Sequence, residues 1–304
     1  MSNALFTNVK YLPVNEKDEA WGLTITTAGF QSILPHTSYP PKGHPSQYWF
    51  EPCSGRILHE FQLIYITKGE GTFQSGYSKK KIPLEAGMLI VLFPNEWHSY
   101  CPKQATGWDT YWVGFKGAFA TNLIHHDFFR KTESVYNIGF NEQVVELFSR
   151  SIEIAKQEKP GFQPVISGIA MHLLGLIYYT TRNELFEDKE IAAKMEKARM
   201  IMREYPESNA SPEEIACTLN MSYSWFRRMF KQYTGLSPAQ YQLQVKLQKA
   251  KALLISSSKS VKEIAYLLEF ESPNYFTSFF KEKTGYSPLS YRKISHGRSN
   301  RNVK

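Results

Sequence analysis

The chain contains few cysteines and no long apolar run. Its three cysteines, Cys53, Cys101 and Cys217, lie far apart without paired spacing, which argues against a disulfide framework or a zinc site. The longest unbroken apolar run, residues 88–93, is far shorter than the roughly 20 residues that a membrane-spanning helix needs. The first residues also lack the basic start and apolar core of a secretion signal. We therefore expect a cytoplasmic protein with reduced thiols and no membrane partner.

Motifs of several enzyme classes are also missing. There is no nucleophile elbow, Walker loop or dinucleotide-binding glycine pattern. A metal-dependent barrel enzyme would need a His-x-His pair, an acid and a further histidine. His59 is instead followed by Glu60 and Phe61, and His98 is the only other histidine of residues 55–115. We expect no catalytic residues, no metal and no cofactor; a metal-dependent enzyme fused to a DNA-binding module remains the alternative.

Charge is divided unevenly along the 304 residues. Residues 1–190 contain 17 Lys and Arg against 19 Asp and Glu, whereas residues 191–304 contain 19 against 9. The first part therefore carries a net charge of −2 and the second +10. A basic excess confined to one part is expected of a domain that binds a polyanion, although a solvated basic surface would have the same charge.

Residues 55–115 have the pattern of short β-strands, and the residues after them have the period of helices. In HEFQLIYITKGEGTF, side chains alternate from Phe61 to Ile66 before a glycine turn, and later apolar runs are separated by prolines and glycines. This predicts a small barrel or sandwich, preceded by a long ordered loop in PHTSYPPKGHPSQYWFEP. Residues 141–183 then carry two adjacent apolar stripes, which predict a helix packed on the barrel or a subunit interface. The stripes are Ile166, Ala170, Leu174, Tyr178 and Val165, Ile169, Leu173, Ile177.

The strongest signal is an internal repeat. SYSWFRRMFKQYTGLSP, residues 222–238, returns as SPNYFTSFFKEKTGYSP, residues 272–288, with eight of seventeen positions identical. Upstream, SPEEIACTLN from Ser211 resembles SVKEIAYLLE from Ser260 at an offset of 49 instead of 50. One residue has therefore been added in the second copy, in the turn before its second helix.

Serines mark the helix starts in this region. Capping boxes are predicted at Ser211 with Glu214, at Ser237 with Gln240 and at Ser260 with Glu263, and a cap with a following proline at Ser272. Each copy is thus a helix-turn-helix, and residues 238–256 form a long connecting helix. At about 18 residues this helix would be roughly 27 Å long, close to the roughly 34 Å of one DNA turn. Two recognition helices could therefore enter successive major grooves.

The second helix of each copy is predicted to have one buried and one exposed face. The buried faces comprise Phe226, Met229, Phe230 and Tyr233, then Phe276, Phe279 and Phe280. The exposed faces comprise Ser224, Arg227, Arg228 and Lys231, then Asn274, Thr277, Ser278 and Lys281. A shared scaffold with different exposed residues is expected if the two copies read different bases; the alternative is that the polar residues only solvate a helical bundle. Arginine suits guanine, asparagine suits adenine, and the two lysines suit phosphates.

At these residues the sequence resembles AraC/XylS-type transcriptional regulators. The resemblance covers residues 191–294 and rests on IA in both first helices, FK, TG and SP in both copies, and AKALL from Ala250. It implies base contacts by Ser224, Arg227 and Arg228 in one recognition helix and by Asn274, Thr277 and Ser278 in the other. Glu269 departs from the pattern, because the family usually has glycine there; a left-handed backbone at Glu would cost about 1 to 2 kcal/mol.

The first half resembles the cupin-like sensor domain of sugar-responsive members of this family, through LIYITKGEGTF, AGMLIVLFPNEWHSY and WVGFKG. The resemblance implies a barrel that binds a small effector, commonly a sugar, and an adjoining helical dimerisation segment. Aromatic faces and hydrogen-bonding groups suit a sugar, and we expect them from Arg56, Trp97, His98, Tyr100, Trp108 and Trp112. Of these, Arg56, Tyr100 and Trp112 match the ligand-facing positions of the family.

The sequence as a whole predicts an α+β multidomain protein with an N-terminal cupin-like β-barrel and a C-terminal all-α double helix-turn-helix. The predicted parts are an effector-binding domain (1–135), a helical dimerisation segment (136–184), a linker (185–192), a DNA-binding domain (193–295) and a disordered basic tail (296–304). The expected function is a sequence-specific regulator, an activator of carbohydrate catabolism genes controlled by a sugar-like effector, with repression in the absence of ligand left open. The expected partners are double-stranded DNA, the effector, a second copy of the chain and RNA polymerase.

Overall fold

The computed structural model describes residues 7–40, 54–184, 189–204 and 210–296. The chain divides into two compact units, Met1–Leu185 and Phe186–Lys304. Of the predicted linker, residues 185–188 lie outside the described residues, whereas residues 189–192 are already the first turn of a helix. A helix therefore begins within the predicted linker. Of the predicted basic tail, only His296 is described, and it caps the last helix.

In its described residues, the first unit is a nine-stranded antiparallel sheet with helices on one side. The sheet runs in the order β1-β2-β8-β4-β6-β9, with β5 and β7 on β4 and β3 on β7. Its strands are β1 (Thr7–Tyr11), β2 (Thr24–Ile33), β3 (Arg56–Ile57), β4 (Phe61–Ser75), β5 (Ser78–Glu85), β6 (Met88–Leu92), β7 (Trp97–Pro102), β8 (Trp108–Lys116) and β9 (Val135–Asn137). Its helices are α1 (Glu16–Glu19), α2 (Ala118–His125), α3 (Glu142–Gln157) and α4 (Phe162–Glu184). Strands β1 and β2 were not predicted from the sequence, and β9 crosses the predicted boundary at residue 135.

Strand β4 shows why residues 61–66 are apolar at every position except Gln62. Phe61, Leu63 and Tyr65 belong to the core under the helices, whereas Ile64 and Ile66 belong to a second core inside the barrel. Successive side chains of a strand point to opposite faces, so a strand that is covered on both faces needs apolar residues at nearly every position.

Helix α4 is fixed to β2 by side-chain hydrogen bonds as well as by apolar packing. The Gln163 amide accepts from the Ile25 N–H at 3.0 Å and donates to the Ile25 carbonyl at 2.9 Å, next to an irregularity in the pairing of β2 with β8. The Ser167 hydroxyl donates to the Leu23 carbonyl at 2.6 Å. Phe162–Asn183 would be long and apolar enough to cross a membrane, but its buried residues are packed into the core of this domain. The apolar stripes therefore cover the barrel; Val165 is the member that stays exposed.

The second unit is all α-helical in its described residues. It comprises α5 (Lys189–Glu204), α6 (Pro212–Thr218), α7 (Tyr223–Thr234), α8 (Pro238–Ser256), α9 (Val261–Leu267), α10 (Pro273–Thr284) and α11 (Pro288–Ser295). The three predicted capping boxes are present, and Ser272 caps α10 as predicted. Helix α8 has the predicted bounds. Each helix-turn-helix has its own core, one built around Phe226 and Phe230 and the other around Phe276 and Phe280.

The turns of the two helix-turn-helix copies start alike and then differ by one residue. Asn220 and Glu269 occupy the same position and are both left-handed, with φ of 53° and 52°. The added residue is Glu271, which precedes the Ser272 cap. One carboxylate oxygen of Glu269 is buried without a hydrogen-bond partner in the described residues. Its carbonyl accepts a 3.2 Å hydrogen bond from Lys246, which lies over the Phe270 ring.

Replacing Glu269 by glycine should stabilise the second copy. Glycine adopts the left-handed backbone without steric cost, and the change also removes the unpaired carboxylate oxygen. We expect Glu269→Gly to raise the free energy of local opening by about 1 kcal/mol, measured by hydrogen exchange of the α9 and α10 amides. Asn220→Gly is the matched control, and it should gain less because asparagine tolerates this conformation. Equal gains at both positions would contradict the explanation.

Candidate functional site

A cavity lies inside the barrel, against the face of the sheet opposite the helices. It has about 580 Å³ of empty space, including the part open to solvent at its mouth. Strands β2, β8 and β4 form one wall, and β3, β7 and the segment around Tyr39 contribute the others. Its lining residues are Tyr11, Thr27, Gln31, Tyr39, Pro40, Arg56, Gln62, Ile64, Tyr100, Trp108, Thr110 and Trp112.

The strand register explains how these residues meet. Gln31 lies opposite Thr110, and Gly29 lies opposite Trp112, which in turn pairs with Ile64 of β4. A side chain at Gly29 would collide with the Trp112 indole, so the glycine makes room for the ring. The wall of the cavity is therefore a ladder of cross-strand neighbours on one face of the sheet.

Arg56 is held by two neutral aromatic side chains. Its Nη2 donates to the Tyr100 hydroxyl at 2.6 Å, its Nε donates to His98 Nε2 at 3.3 Å, and the guanidinium carbon lies 5.5 Å from the Tyr100 ring centroid. His98 is 2% exposed, and its Nδ1 lies 3.1 Å from the carbonyl of Glu96. Burial and the neighbouring Arg56 lower the pKa of His98 to about 4. The imidazole is thus neutral near pH 7, with Nδ1–H donating to the carbonyl and Nε2 accepting from Arg56.

Three polar groups that line the cavity have no hydrogen-bond partner among the described residues. They are Thr27 Oγ1, Gln31 Nε2 and Trp108 Nε1. Gln31 and Trp108 are only 6% and 2% exposed. A buried polar group without a partner costs about 1 to 3 kcal/mol, so their convergence on one cavity indicates a site for a polar ligand.

The structure brings together four of the six residues that the sequence predicted for the ligand site. Arg56, Tyr100, Trp108 and Trp112 line the cavity. His98 lies behind Arg56, outside the lining. Trp97 also lies outside it, because its indole packs against Gly55 and donates to the carbonyl of Ser54 at 2.9 Å.

Sequence reasoning missed the polar residues of the lining. Tyr11, Thr27 and Gln31 come from β1 and β2, which were not recognised as strands, and Gln62 was placed only as part of an alternating strand. The alternation of Thr27, Gly29 and Gln31 with apolar residues in TITTAGFQSI could have revealed this face.

The recognition helices present the predicted polar side chains to solvent. Ser224, Arg227, Arg228 and Lys231 of α7 are exposed, and so are Asn274, Ser278 and Lys281 of α10. Thr277 differs, because it is half-buried and its hydroxyl donates to the Pro273 carbonyl at 2.8 Å. Phe226, Phe230, Phe276 and Phe280 are fully buried, as the predicted faces require.

One aromatic residue on each recognition helix was not predicted to be part of this surface. Trp225 and Tyr275 occupy equivalent positions and are 37% and 43% exposed. The Arg228 guanidinium lies 4.5 Å from the Trp225 ring centroid, a cation–π contact that restricts its direction. In the part of the chain that the structure describes, no group of three His, Cys, Asp or Glu side chains could hold a metal ion.

The depressed pKa of His98 makes the stability of the first unit depend on pH. The unfolded chain takes up a proton near pH 6.5 and the folded chain only near 4, so the free energy of unfolding should fall as the pH drops through this interval. The full loss is about 3 kcal/mol. In His98→Gln this loss should disappear, which urea titrations followed by tryptophan fluorescence at pH 7, 5.5 and 4 can measure. The exposed His59 is the control, and a His59→Gln variant that removes the same loss would contradict the assignment.

Comparison with known proteins is consistent with both sites. A family model described as an AraC-like ligand binding domain matches residues 41–174, and one described as a helix-turn-helix domain matches residues 215–294. The chain is 26% identical over 235 residues to the MmsAB operon regulatory protein of Pseudomonas aeruginosa, covering 77% of this chain and 75% of the relative. It is 24% identical over 254 residues to the Msm operon regulatory protein of Streptococcus mutans, covering 81% and 87%. It is 23% identical over 249 residues to the lactose operon transcription activator of Staphylococcus xylosus, covering 78% and 85%.

The two matches occupy the two structural units in turn, the ligand-binding domain first and the helix-turn-helix domain second. The three relatives resemble the chain over more than three quarters of its length. The chain therefore belongs to the AraC-type DNA-binding transcriptional regulators.

Proposed function

We propose that the protein activates genes of carbohydrate catabolism when a small sugar-like effector enters the barrel cavity. The observation that carries this proposal is the cavity itself, where aromatic rings and unpaired buried polar groups face the same space. The name of one relative, a lactose operon transcription activator, supports a sugar-linked role. We infer that the barrel acts by binding and not by catalysis, and that the protein works in the cytoplasm.

The chemistry of the lining favours a polyhydroxylated ligand. Trp108 and Trp112 offer ring faces for the C–H side of a sugar, and Thr27, Gln31 and Gln62 offer groups for its hydroxyls. Arg56 would reach the ligand with its direction fixed by His98 and Tyr100, so little entropy would be lost when it binds. Of the other two sequence-predicted ligand residues, His98 would serve as this support, and Trp97 has no role in the proposal.

The two recognition helices suit two successive major grooves. Helix α8, which joins the two copies, has 19 residues and is therefore about 28 Å long, against about 34 Å for one turn of DNA. In this proposal Ser224, Arg227 and Arg228 contact bases in one groove, and Asn274 and Ser278 in the next. Thr277 would contribute its methyl group, because its hydroxyl is occupied. Lys231 and Lys281 would contact phosphates.

We further propose that the effector changes the affinity for DNA through a homodimer. Helix α4 keeps an exposed side with Val165 and Tyr179, which a second copy could cover. Effector binding then needs to favour one dimer geometry by only a few kcal/mol to change the affinity of the dimer for DNA. Activation would also require a contact with RNA polymerase. The domain limits would be 1–135 for effector binding, 136–184 for dimerisation and 193–295 for DNA binding, with a linker at 185–192.

Alanine substitutions test the DNA contacts. Arg227→Ala and Asn274→Ala should each weaken binding by about 1 to 3 kcal/mol and relax discrimination at one base position, because each removes a bidentate base contact. Lys281→Ala should weaken binding to all sequences alike. Competition gel shifts with singly substituted duplexes measure both effects. The control is alanine substitution of Lys283, which lies half a turn from Lys281 on α10. Normal DNA binding by the Arg227→Ala/Asn274→Ala double variant would refute the interface.

A thermal-shift screen of pentoses, hexoses and uronic acids tests the sensor. A true effector should raise the melting temperature with saturation, by the equivalent of about 2.7 kcal/mol at a hundred times its Kd. Arg56→Met should abolish this shift, whereas Trp97→Phe, which alters an indole outside the cavity, should retain it. Footprinting upstream of the neighbouring operon with the same compounds then tests the switch. If none of the compounds that raise the melting temperature changes the footprint, the proposed switch is refuted.

A further inference from the structure

We propose that the effector is a sugar acid, with a carboxylate seated between Gln31, Trp108 and Arg56. This inference rests on the proposed function, since it takes the barrel cavity to be the effector site. It deepens that function by assigning the charge of the ligand and its direction in the cavity.

Two buried donors converge at one end of the cavity. Gln31 of β2 pairs with Thr110 of β8, and Trp108 precedes Thr110 by two residues, so it lies on the same face of the sheet. Gln31 and Trp108 are therefore diagonal neighbours, about 7 to 8 Å apart, which their long side chains can bridge. Among the residues that the structure describes, Gln31 Nε2 and Trp108 Nε1 have no hydrogen-bond partner, and both side chains are more than nine-tenths buried.

Arg56 adds positive charge at this end. Its guanidinium bonds the Tyr100 hydroxyl at 2.6 Å, and the Tyr100 ring centroid lies 6.1 Å from that of Trp108. The Tyr39 ring meets Trp108 edge-on at 6.1 Å, and burial raises the pKa of both tyrosines. The phenols therefore stay neutral, and they line this end of the cavity without adding negative charge.

This set of groups prefers a carboxylate to a hydroxyl. An indole N–H, an amide NH₂ and a guanidinium can only donate. A hydroxyl that accepts from these donors still needs an acceptor for its own O–H, whereas a carboxylate offers about four lone-pair sites and has no proton to donate. Hydrogen bonds from these donors to a charged acceptor are also roughly twice as strong as those to a neutral one.

The other end of the cavity has the opposite chemistry. Thr27 lies four residues from Gln31 on β2, about 13 Å along the strand, and it faces Gln62 across Gly114. Gln62 Nε2 donates to the buried Glu60 at 3.0 Å. A carboxylate near Glu60 would be repelled, while hydroxyls would find both donors and acceptors there. The ligand is thus expected to bind with its carboxylate toward Trp108 and its hydroxyls toward Thr27.

Matched pairs of compounds test this inference on the full-length wild-type protein. Isothermal calorimetry would compare galactose with galacturonate, and glucose with glucuronate and gluconate. In at least one pair the acid should bind roughly tenfold or more tightly than its neutral parent, as expected for charge-assisted hydrogen bonds.

Two variants locate the carboxylate. Gln31→Glu replaces an N–H donor by a negative charge at nearly the same size, and Trp108→Phe removes the indole N–H while keeping a smaller aromatic ring. Each should weaken binding of the acid roughly tenfold or more and binding of the neutral sugar by a smaller factor, so that the preference for the acid is lost. Trp97→Phe is the control and should bind as wild type.

Neutral sugars that bind as tightly as their acids would overturn the inference while leaving the sensor proposal intact. Binding of neither class would also overturn it, and normal acid binding by Gln31→Glu would do the same. The wild-type comparison does not depend on whether a variant folds. Failure of the proposed regulator would appear separately, as a lack of sequence preference in the DNA competition experiments.

Discussion

The first unit depends on one constraint, which is that the strands β2, β8 and β4 must bury both of their faces. One face is covered by α3 and α4 through Leu63, Val113 and Phe115. The other closes on itself through Ile64, Ile66 and Trp108 and encloses the cavity. The same strands therefore carry the ligand wall on one side and the helical layer on the other. Gln163 of α4 bonds the backbone of Ile25, only two residues from Thr27 in the cavity wall. This arrangement connects the cavity wall to α4 through a single pair of side-chain-to-backbone hydrogen bonds.

The cavity is held ready by groups that do not themselves line it. Neutral His98 and the Glu96 carbonyl fix the direction of Arg56, and Glu96 itself is held by a 2.6 Å ion pair with Lys131. A histidine with an ordinary pKa would be partly charged near neutrality and would repel the guanidinium. Burial of the imidazole thus stabilises the arginine, at the expense of stability in acid. The donors that have no partner among the described residues are a further cost, which a bound ligand would offset.

The second unit separates scaffold from recognition within a single repeat. The buried phenylalanines, the capping serines and the left-handed turn residue recur in both copies, although Glu271 is added in one. The exposed positions diverge, from Arg227 and Arg228 in one copy to Thr277 and Ser278 in the other. A scaffold that is buried tolerates few changes, whereas exposed side chains can vary at little cost to stability. This division allows one duplicated fold to present two different surfaces to DNA.

The sequence by itself determined the helices of the second unit, because capping boxes, proline starts and the 3.6-residue period are local features. The family resemblance also predicted Arg56, Tyr100 and Trp112 as ligand-facing residues, and the aromatic character of Trp108 predicted it as a further one; all four line the cavity. Only the tertiary structure decided that Trp97 lies outside the cavity while Thr27 and Gln31 lie within it. The positions of Thr27 and Gln31 follow from the pairing of β2 with β8, which are far apart in the chain, and a shift of one residue in that pairing would turn their side chains to the other face. Local pattern cannot specify such a register, since it depends on which distant strand becomes the neighbour.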